Sequence, residues 1–343
     1  MTDHVSAPFR ARTPAALLLI GTLAACGGGG GGGDSAPAPA PAPAPVQISS
    51  ANSNTTAARG YETANALFDA SSAASGQLKS ATGGPRLDLV RFSLARLQAL
   101  TTGQPGSFAG SGVASEKATS SESLQCPGGG SISVTATDQN DNGRADAGDA
   151  ATIAFNACVA EGTTVGGSMM FEFLSFAGGA AADTSSVRAT FTNLTVSAAG
   201  QTSSASGDMT LLATVSKVSP FTADVTLSGS RLALTEGGES RTLTGYSGRL
   251  LIDDTRRTYS YTVSGGVSGS GLPGSITLTT PTAISGPLAG DPTAGRLIVT
   301  GAANSQVSLT VIPPTGVVLA LDANGDGTPE SQQSLTWAQL EAL

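Results

Sequence analysis

Histidine is all but missing from this 343-residue chain: the one copy, His4, falls in a segment that reads as a removable leader. The rest of the chain has none. That excludes Ser-His-Asp and Cys-His nucleophilic sites and any zinc site built on imidazole. Lysine is scarce too, with Lys79, Lys117 and Lys217 only, and none has Ser three residues before it. The S-x-x-K arrangement is therefore absent, as is the G-x-S-x-G nucleophile elbow. Aromatic residues make up 4% of the chain, poor equipment for a sugar-binding cleft. Carboxylate chemistry of the glycosidase kind stays open as a low-ranked third function. The polyglycine run matches G-x-G-x-x-G trivially, but no strand precedes it and no helix follows.

Long apolar runs are equally rare. The longest, AALLLIGTLAA (Ala15 to Ala25), follows the basic residues Arg10 and Arg12. It is shorter than the roughly 20 residues that span a bilayer, so it reads as the core of a signal peptide over residues 1–25. Leu23-Ala24-Ala25-Cys26 resembles the lipobox of bacterial lipoproteins. That resemblance implies cleavage before Cys26, a covalent lipid on its sulfur and acylation of the new N-terminus; the alternative is an ordinary secretory signal cut after Ala25. Seven glycines (Gly27–Gly33) and five Ala-Pro units (Ala36–Pro45) follow. The glycines are a flexible coil and the Ala-Pro run is a stiff spacer reaching roughly 30 Å. Such a stretch holds a domain away from a surface, so residues 26–58 read as a lipidated linker. With Gly27 and not Asp after the cysteine, the enterobacterial sorting pattern favours the outer membrane, facing the periplasm or the cell surface.

Removing residues 1–25 takes away Arg10, Arg12 and Asp3, so 17 basic and 25 acidic residues become 15 and 24, a net charge of −9. An acidic chain with few basic clusters argues against nucleic acid and against electrostatic binding to anionic lipid. Arg256-Arg257 is the one adjacent basic pair, expected on a solvated strand face. With Cys26 lipidated, Cys126 and Cys158 remain as a pair in an oxidising compartment, and a disulfide follows.

Residues 59–105 carry helical signals. Tyr61–Ser80 places Ala64, Leu67, Phe68, Ser71 and Leu78 near one face, and PRLDLVRFSLARLQAL (85–100) spaces Leu87, Val90, Leu94 and Leu97 at three and four residues. The remainder, 106–343, changes to short Thr/Ser/Val-rich runs with apolar alternation. Tyr259-Tyr261-Val263, Val307-Leu309-Val311 and Val317-Leu319-Leu321 are examples. Alternation means antiparallel strands with one buried and one wet face. The apolar phase shifts between Phe191 and Leu194, which predicts a bulge near Asn193; Val225-Leu227 gives way to Leu232-Leu234 in the same manner. About a dozen such runs predict a mainly β fold. The expected form is a large curled antiparallel sheet, or a barrel-like β-domain, with one or two N-terminal α-helices. TWAQLEAL at the C-terminus reads as a short helix with Trp337, Leu340 and Leu343 on one side. Few aromatics and a helical ending argue against a membrane-spanning barrel.

Two loops are acidic enough to hold a metal ion. DQNDNGRADAGD (138–149) places Asp138, Asn140, Asn142, Asp146 and Asp149 at calcium-loop spacing, with Gly143 in sixth place. DANGDGTPE (322–330) places Asp322, Asn324, Asp326 and Glu330 similarly, with Gly327 in sixth place. Asp149, one methylene shorter than the usual Glu, weakens the first; Pro329 and Gln333 weaken the second. Asn-Gly and Asp-Gly are equally good hairpin-turn dipeptides, so a metal-free turn is the competing reading. In either case the role is stabilising, because no base or nucleophile accompanies the oxygens.

The segment CPGGGSISVTATDQNDNGRADAGDAATIAFNAC and the ending VVLALDANGDGTPESQQSLTWAQL together resemble a set of Ala/Gly/Ser-rich proteobacterial lipoproteins. The likeness runs from about residue 120 onward. It implies an envelope lipoprotein with a β-rich body and supplies no activity. The leading expectation is a non-enzymatic, lipid-anchored envelope protein with a structural or interaction role, perched on the membrane through its lipid and meeting an unidentified partner. The alternative is a carrier of lipid or another apolar ligand.

Overall fold

The computed structural model describes residues 43–74, 118–142, 146–160, 162–198, 200–236, 238–314 and 316–343. The chain divides into two compact units, Met1–Pro41 and Ala42–Leu343, and the described residues all belong to the second. The linker expected to reach residue 58 gives way to ordered chain well before that. Pro45 bridges Ser275, Val46 donates its N–H to the Ser275 carbonyl and accepts from Ala302 N–H, and Ile48 N–H reaches Ser305 Oγ. Val46 and Ile48 are buried apolar side chains, which is why this stretch docks. Helix α1 then runs Ser53–Ala74, starting before the expected Tyr61. The stretch 75–80 and the expected helix at 85–100 lie outside the described residues.

The strands are β1 (Ala118–Gln125), β2 (Ser131–Asp138), β3 (Ala150–Ala160), β4 (Thr163–Gly178), β5 (Ala182–Ala198), β6 (Gln201–Ser216) and β7 (Thr222–Glu236). They continue with β8 (Glu239–Asp253), β9 (Thr258–Gly269), β10 (Ile276–Pro287), β11 (Ala294–Thr300), β12 (Gln306–Ile312), β13 (Gly316–Asp322) and β14 (Ser331–Leu335). A short helix α2 (Trp337–Glu341) closes the chain, with Trp337 and Leu340 buried. Leu343, expected on the same buried side, is 44% exposed, because the helix ends two residues before it.

All fourteen strands form one antiparallel sheet in simple sequence order, β1 to β14. β1 and β14 are its free edges, so the sheet is open and not a closed barrel. Asn193 has a positive φ of 45° where the β5–β6 register slips between Phe191 and Leu194, the bulge that the phase shift predicted. Leu227 and Leu232, an odd number of residues apart, are both buried, and β6 slips against β7 beside them.

The sheet curls around α1. Thr56, Ala57, Ala58, Gly60, Tyr61, Thr63 and Ala64 are all buried, and at 100° per residue those positions cover most of the helix surface. Asn54, Thr55, Arg59, Glu62 and Asn65 are partly open. On one side Arg59 meets Glu239 of β8, while on the other Asn54 donates to Gln333 of β14 and Tyr61 packs 5.3 Å from Trp337. Close approach explains the small residues: a Cβ on Gly60 would lie 2.7 Å from Val299 Cγ2. Helix and sheet share one apolar cluster from Val46 through Leu340, with Phe68 against Tyr259 and Tyr261 at its centre.

Because neighbouring strands alternate in direction, every second turn lies at the same end of the sheet. The near end holds the β1–β2, β7–β8, β9–β10 and β13–β14 turns and the docked residues 43–48. The far end holds the β2–β3, β4–β5, β6–β7 and β8–β9 turns and α2.

Candidate functional site

The Cys126–Cys158 disulfide forms, with Cα atoms 5.4 Å apart. It sits at the near end, where the turn after β1 folds onto β3. Gly128 N–H donates to Val159 O, and Val159 N–H donates to Gly129 O. Gly130 has φ +73°, and a Cβ there would collide with the Ala157 carbonyl, which is why the cysteine is followed by glycines. Cys26 lies outside the described residues.

The two acidic loops lie at opposite ends of the sheet. The loop 138–149 joins β2 to β3 at the far end, across the length of the hairpin from the disulfide. Asp138 and Asp149 are buried there. Asp149 accepts from the backbone N–H of Gln139 and of Asp146, both at 2.8 Å. Asp146 accepts from the side-chain amides of Asn140 (3.0 Å) and Asn142 (2.5 Å), and those bonds hold its carboxyl below the usual range. Residues 143–145, including the sixth-place Gly143, lie outside the described residues. The loop thus closes on itself with amide nitrogens turned toward Asp146, where a calcium ion would need the Asn140 and Asn142 oxygens.

The loop 322–330 is a tighter version of the same idea. The buried Asp322 accepts from Gly325 N–H (2.7 Å), Gly327 N–H (2.8 Å) and Gln306 Nε2 (3.1 Å). The Gln306 bond, with the loop N–H groups, keeps its carboxyl below the ordinary value. Asn324 Nδ2 donates to Asp326, and Glu330 accepts from Ala323 N–H. Among the described residues, no group of three or more His, Cys, Asp or Glu side chains is placed to hold a metal ion.

Two features went unread in the sequence. One is an ion cluster where α1 meets the near end. Arg59 pairs with Glu62 (3.0 Å) and Glu239 (3.4 Å), and Arg241 pairs with Glu62 (2.8 Å). Burial alone would lower the Arg59 pKa, but the carboxylates outweigh it and raise it. The Arg59 Nε and Arg241 Nη1 groups are buried without partners, with Arg59 Nε close to Gly271. Residues 180 positions apart gave no sequence signal for this pairing. The other is the aromatic cluster of Tyr61, Phe68, Tyr259, Tyr261 and Trp337. Burial pushes the Tyr61 phenol above its ordinary value and the Tyr259 phenol up to about 12, while Tyr261 donates to Asn65 Oδ1 at 2.8 Å. Tyr61 and Tyr259 are packing groups, held neutral by burial.

Arg256 and Arg257 occupy the β8–β9 turn and not a strand face, each held by the aspartate three residues before it. An open depression of about 770 Å³ lies nearby, lined by Thr222, Asp224, Leu251, Asp253, Ser260 and Thr293 among others. Its carboxylates are paired with Arg249 and Arg256. Nothing in it combines a nucleophile with a base. Against family models, curated proteins and solved structures, the chain shows no match.

Proposed function

We propose that the chain is a lipid-anchored envelope protein, tethered through Cys26, whose curled β-sheet body serves a non-enzymatic structural or interaction role at the outer membrane. One observation carries the choice of role. The trough of the sheet is filled by α1 and the residues leading into it: Ile48, Ala57, Ala64 and Leu67 are 0–2% exposed, and Gly60 sits close against Val299 and Leu278. Filling of the trough along β6 to β13, among the described residues, supports a rigid interaction body over the carrier reading, which needs space for acyl chains. A carboxylate hydrolase finds no support in the paired aspartates of the depression.

The test has two arms. Mass spectrometry of the mature protein should find an acylated Cys26, and Cys26→Ser should move the protein out of the membrane fraction; an unmodified Cys26 overturns the tether. Solvent extraction of the purified Cys26→Ser protein should yield no stoichiometric lipid. Lipid recovered at one mole per mole would establish the carrier instead.

Calcium is proposed as a stabiliser of the loop 138–149, and the observation favouring it is the burial of two carboxylates, Asp138 and Asp149, in one loop. A melting temperature unmoved by both EDTA and calcium would remove the ion.

A further inference from the structure

The stretch that leads into α1 is held by three near-end connections. Ser275, just before β10, donates its N–H to Ala44 O and its Oγ to Pro43 O, and accepts from Val46 N–H. Ala302, between β11 and β12, donates to Val46 O, and Gln47 Nε2 donates to Ala323 O, just past β13. A Cβ on Gly301 would collide with the Val46 carbonyl, so this glycine admits the incoming backbone. The point where the linker joins the body is therefore fixed at the near end.

Two lengths can then be compared. Strands β4 to β8 have 15 to 17 residues each. At about 3.3 Å per residue, the turns at their far ends stand about 50 Å from the near end. Sixteen residues, 27–42, separate Cys26 from Pro43. A chain of that glycine and Ala-Pro composition has a root-mean-square reach of about 25–30 Å, and fully drawn out it spans about 55 Å.

With the near end toward a bilayer, a linker anchored at Cys26 bridges the gap at its ordinary extension. With the far end toward the bilayer, the attachment point is lifted by about 50 Å. The linker would then be drawn almost straight and lose most of its conformational freedom. A body on its side would press the outer face of the sheet to the lipid. There Thr210, Ser228, Ser247, Ser264 and Thr279 stand in register from β6 to β10, a row of hydroxyls that gains little from lipid contact.

We infer that the near end is the face this protein turns to the bilayer, with the far-end turns held outward, where a partner in the surrounding space meets them first. This rests on the reading of Cys26 as a lipid anchor and deepens it: the tether sets orientation as well as address. The Cys126–Cys158 disulfide and the loop 322–330 lie on the membrane side, and the β6–β7 and β8–β9 turns lie on the outward side.

The experiment uses the lipidated chain in vesicles of phosphatidylethanolamine and phosphatidylglycerol that carry an acceptor dye on a lipid headgroup. Two variants take a donor dye on a new thiol: Gln201→Cys at the near start of β6, and Val218→Cys just past its far end. Both positions are exposed, so thermal melting should match the parent and serves as the folding control. Energy transfer from the Gln201 site should exceed that from the Val218 site about twofold or more. Inserting about 20 Gly and Ser residues after Gly33 lengthens the reach and should shrink that difference. Equal transfer from the two sites, greater transfer from the Val218 site, or a difference undiminished by the insertion overturns the proposal. Sedimentation separates the two readings. A chain that fails to sediment with the vesicles loses the tether and the orientation together, whereas one that sediments with equal transfer loses the orientation alone.

Discussion

The loops 138–149 and 322–330 are near twins in sequence and differ in how they are built. Asp322 satisfies two glycine N–H groups and Gln306 from one buried carboxylate, within a loop whose ends are consecutive short strands. The loop 138–149 divides the work, with Asp149 holding the backbone and Asp146 holding two asparagine amides. The first gathers around one carboxylate, with donors from outside at Gln306 and Gln47. The second leans on its surroundings: β4 at Phe173 on one side, and a disulfide at the other end of the hairpin.

The comparison can be broken first at the disulfide. Replacing Cys126 and Cys158 by serine should cost about 3–4 kcal/mol from loop-closure entropy, read by chemical denaturation. Amide hydrogen exchange should speed up through residues 131–160 and stay unchanged through 316–335. Equal loosening of both would show that the two loops are not independently supported. Next in size, Asp322→Ala leaves Gly325 and Gly327 N–H groups without their acceptor, and the melting temperature should fall by several degrees, more than for Asp146→Ala, whose amide partners reach water. Smaller again is the response to calcium. Once the ion exceeds its dissociation constant roughly fivefold, stabilisation is about 1 kcal/mol. The shift should vanish in Asp138→Asn with Asp149→Asn and persist in Asp322→Asn.

Acid should give the smallest separable effect. The carboxyls of Asp146 and Asp322 titrate below their ordinary value in the folded state because they accept hydrogen bonds as anions. Their contribution is therefore complete above about pH 4, where the unfolded chain is already ionised, and is lost as pH falls through the lower folded values. Melting temperature should be level from pH 5 to 7 and drop below pH 4, less steeply in Asp322→Asn. A decline beginning near pH 6 would point to other groups.

Local patterns carried much of the architecture into the sequence. Alternation at Tyr259-Tyr261-Val263 and Val307-Leu309-Val311 specified strands, and the phase slip at Asn193 specified its bulge, because burial of one sheet face leaves a two-residue period. Cys126 and Cys158 were legible by elimination. The start of α1 was not, since Ser53–Gly60 is rich in small residues that look like linker until a curled sheet needs them for close approach. Likewise the two loops looked alike because spacing records which atoms are available and not which donors reach them.

The strict sequence order of the strands has a consequence for assembly. Each strand finds its partner within a few tens of residues, so nearly every contact in the sheet is local and quick to close. Helix α1 is the exception. Ile48 bonds Ser305 across 257 positions and Asn54 bonds Gln333 across 279. The first described element synthesised is thus housed by the last strands made. Until β10 to β14 exist, α1 has only half a trough, and the chain carries its most buried helix uncovered through most of its own synthesis.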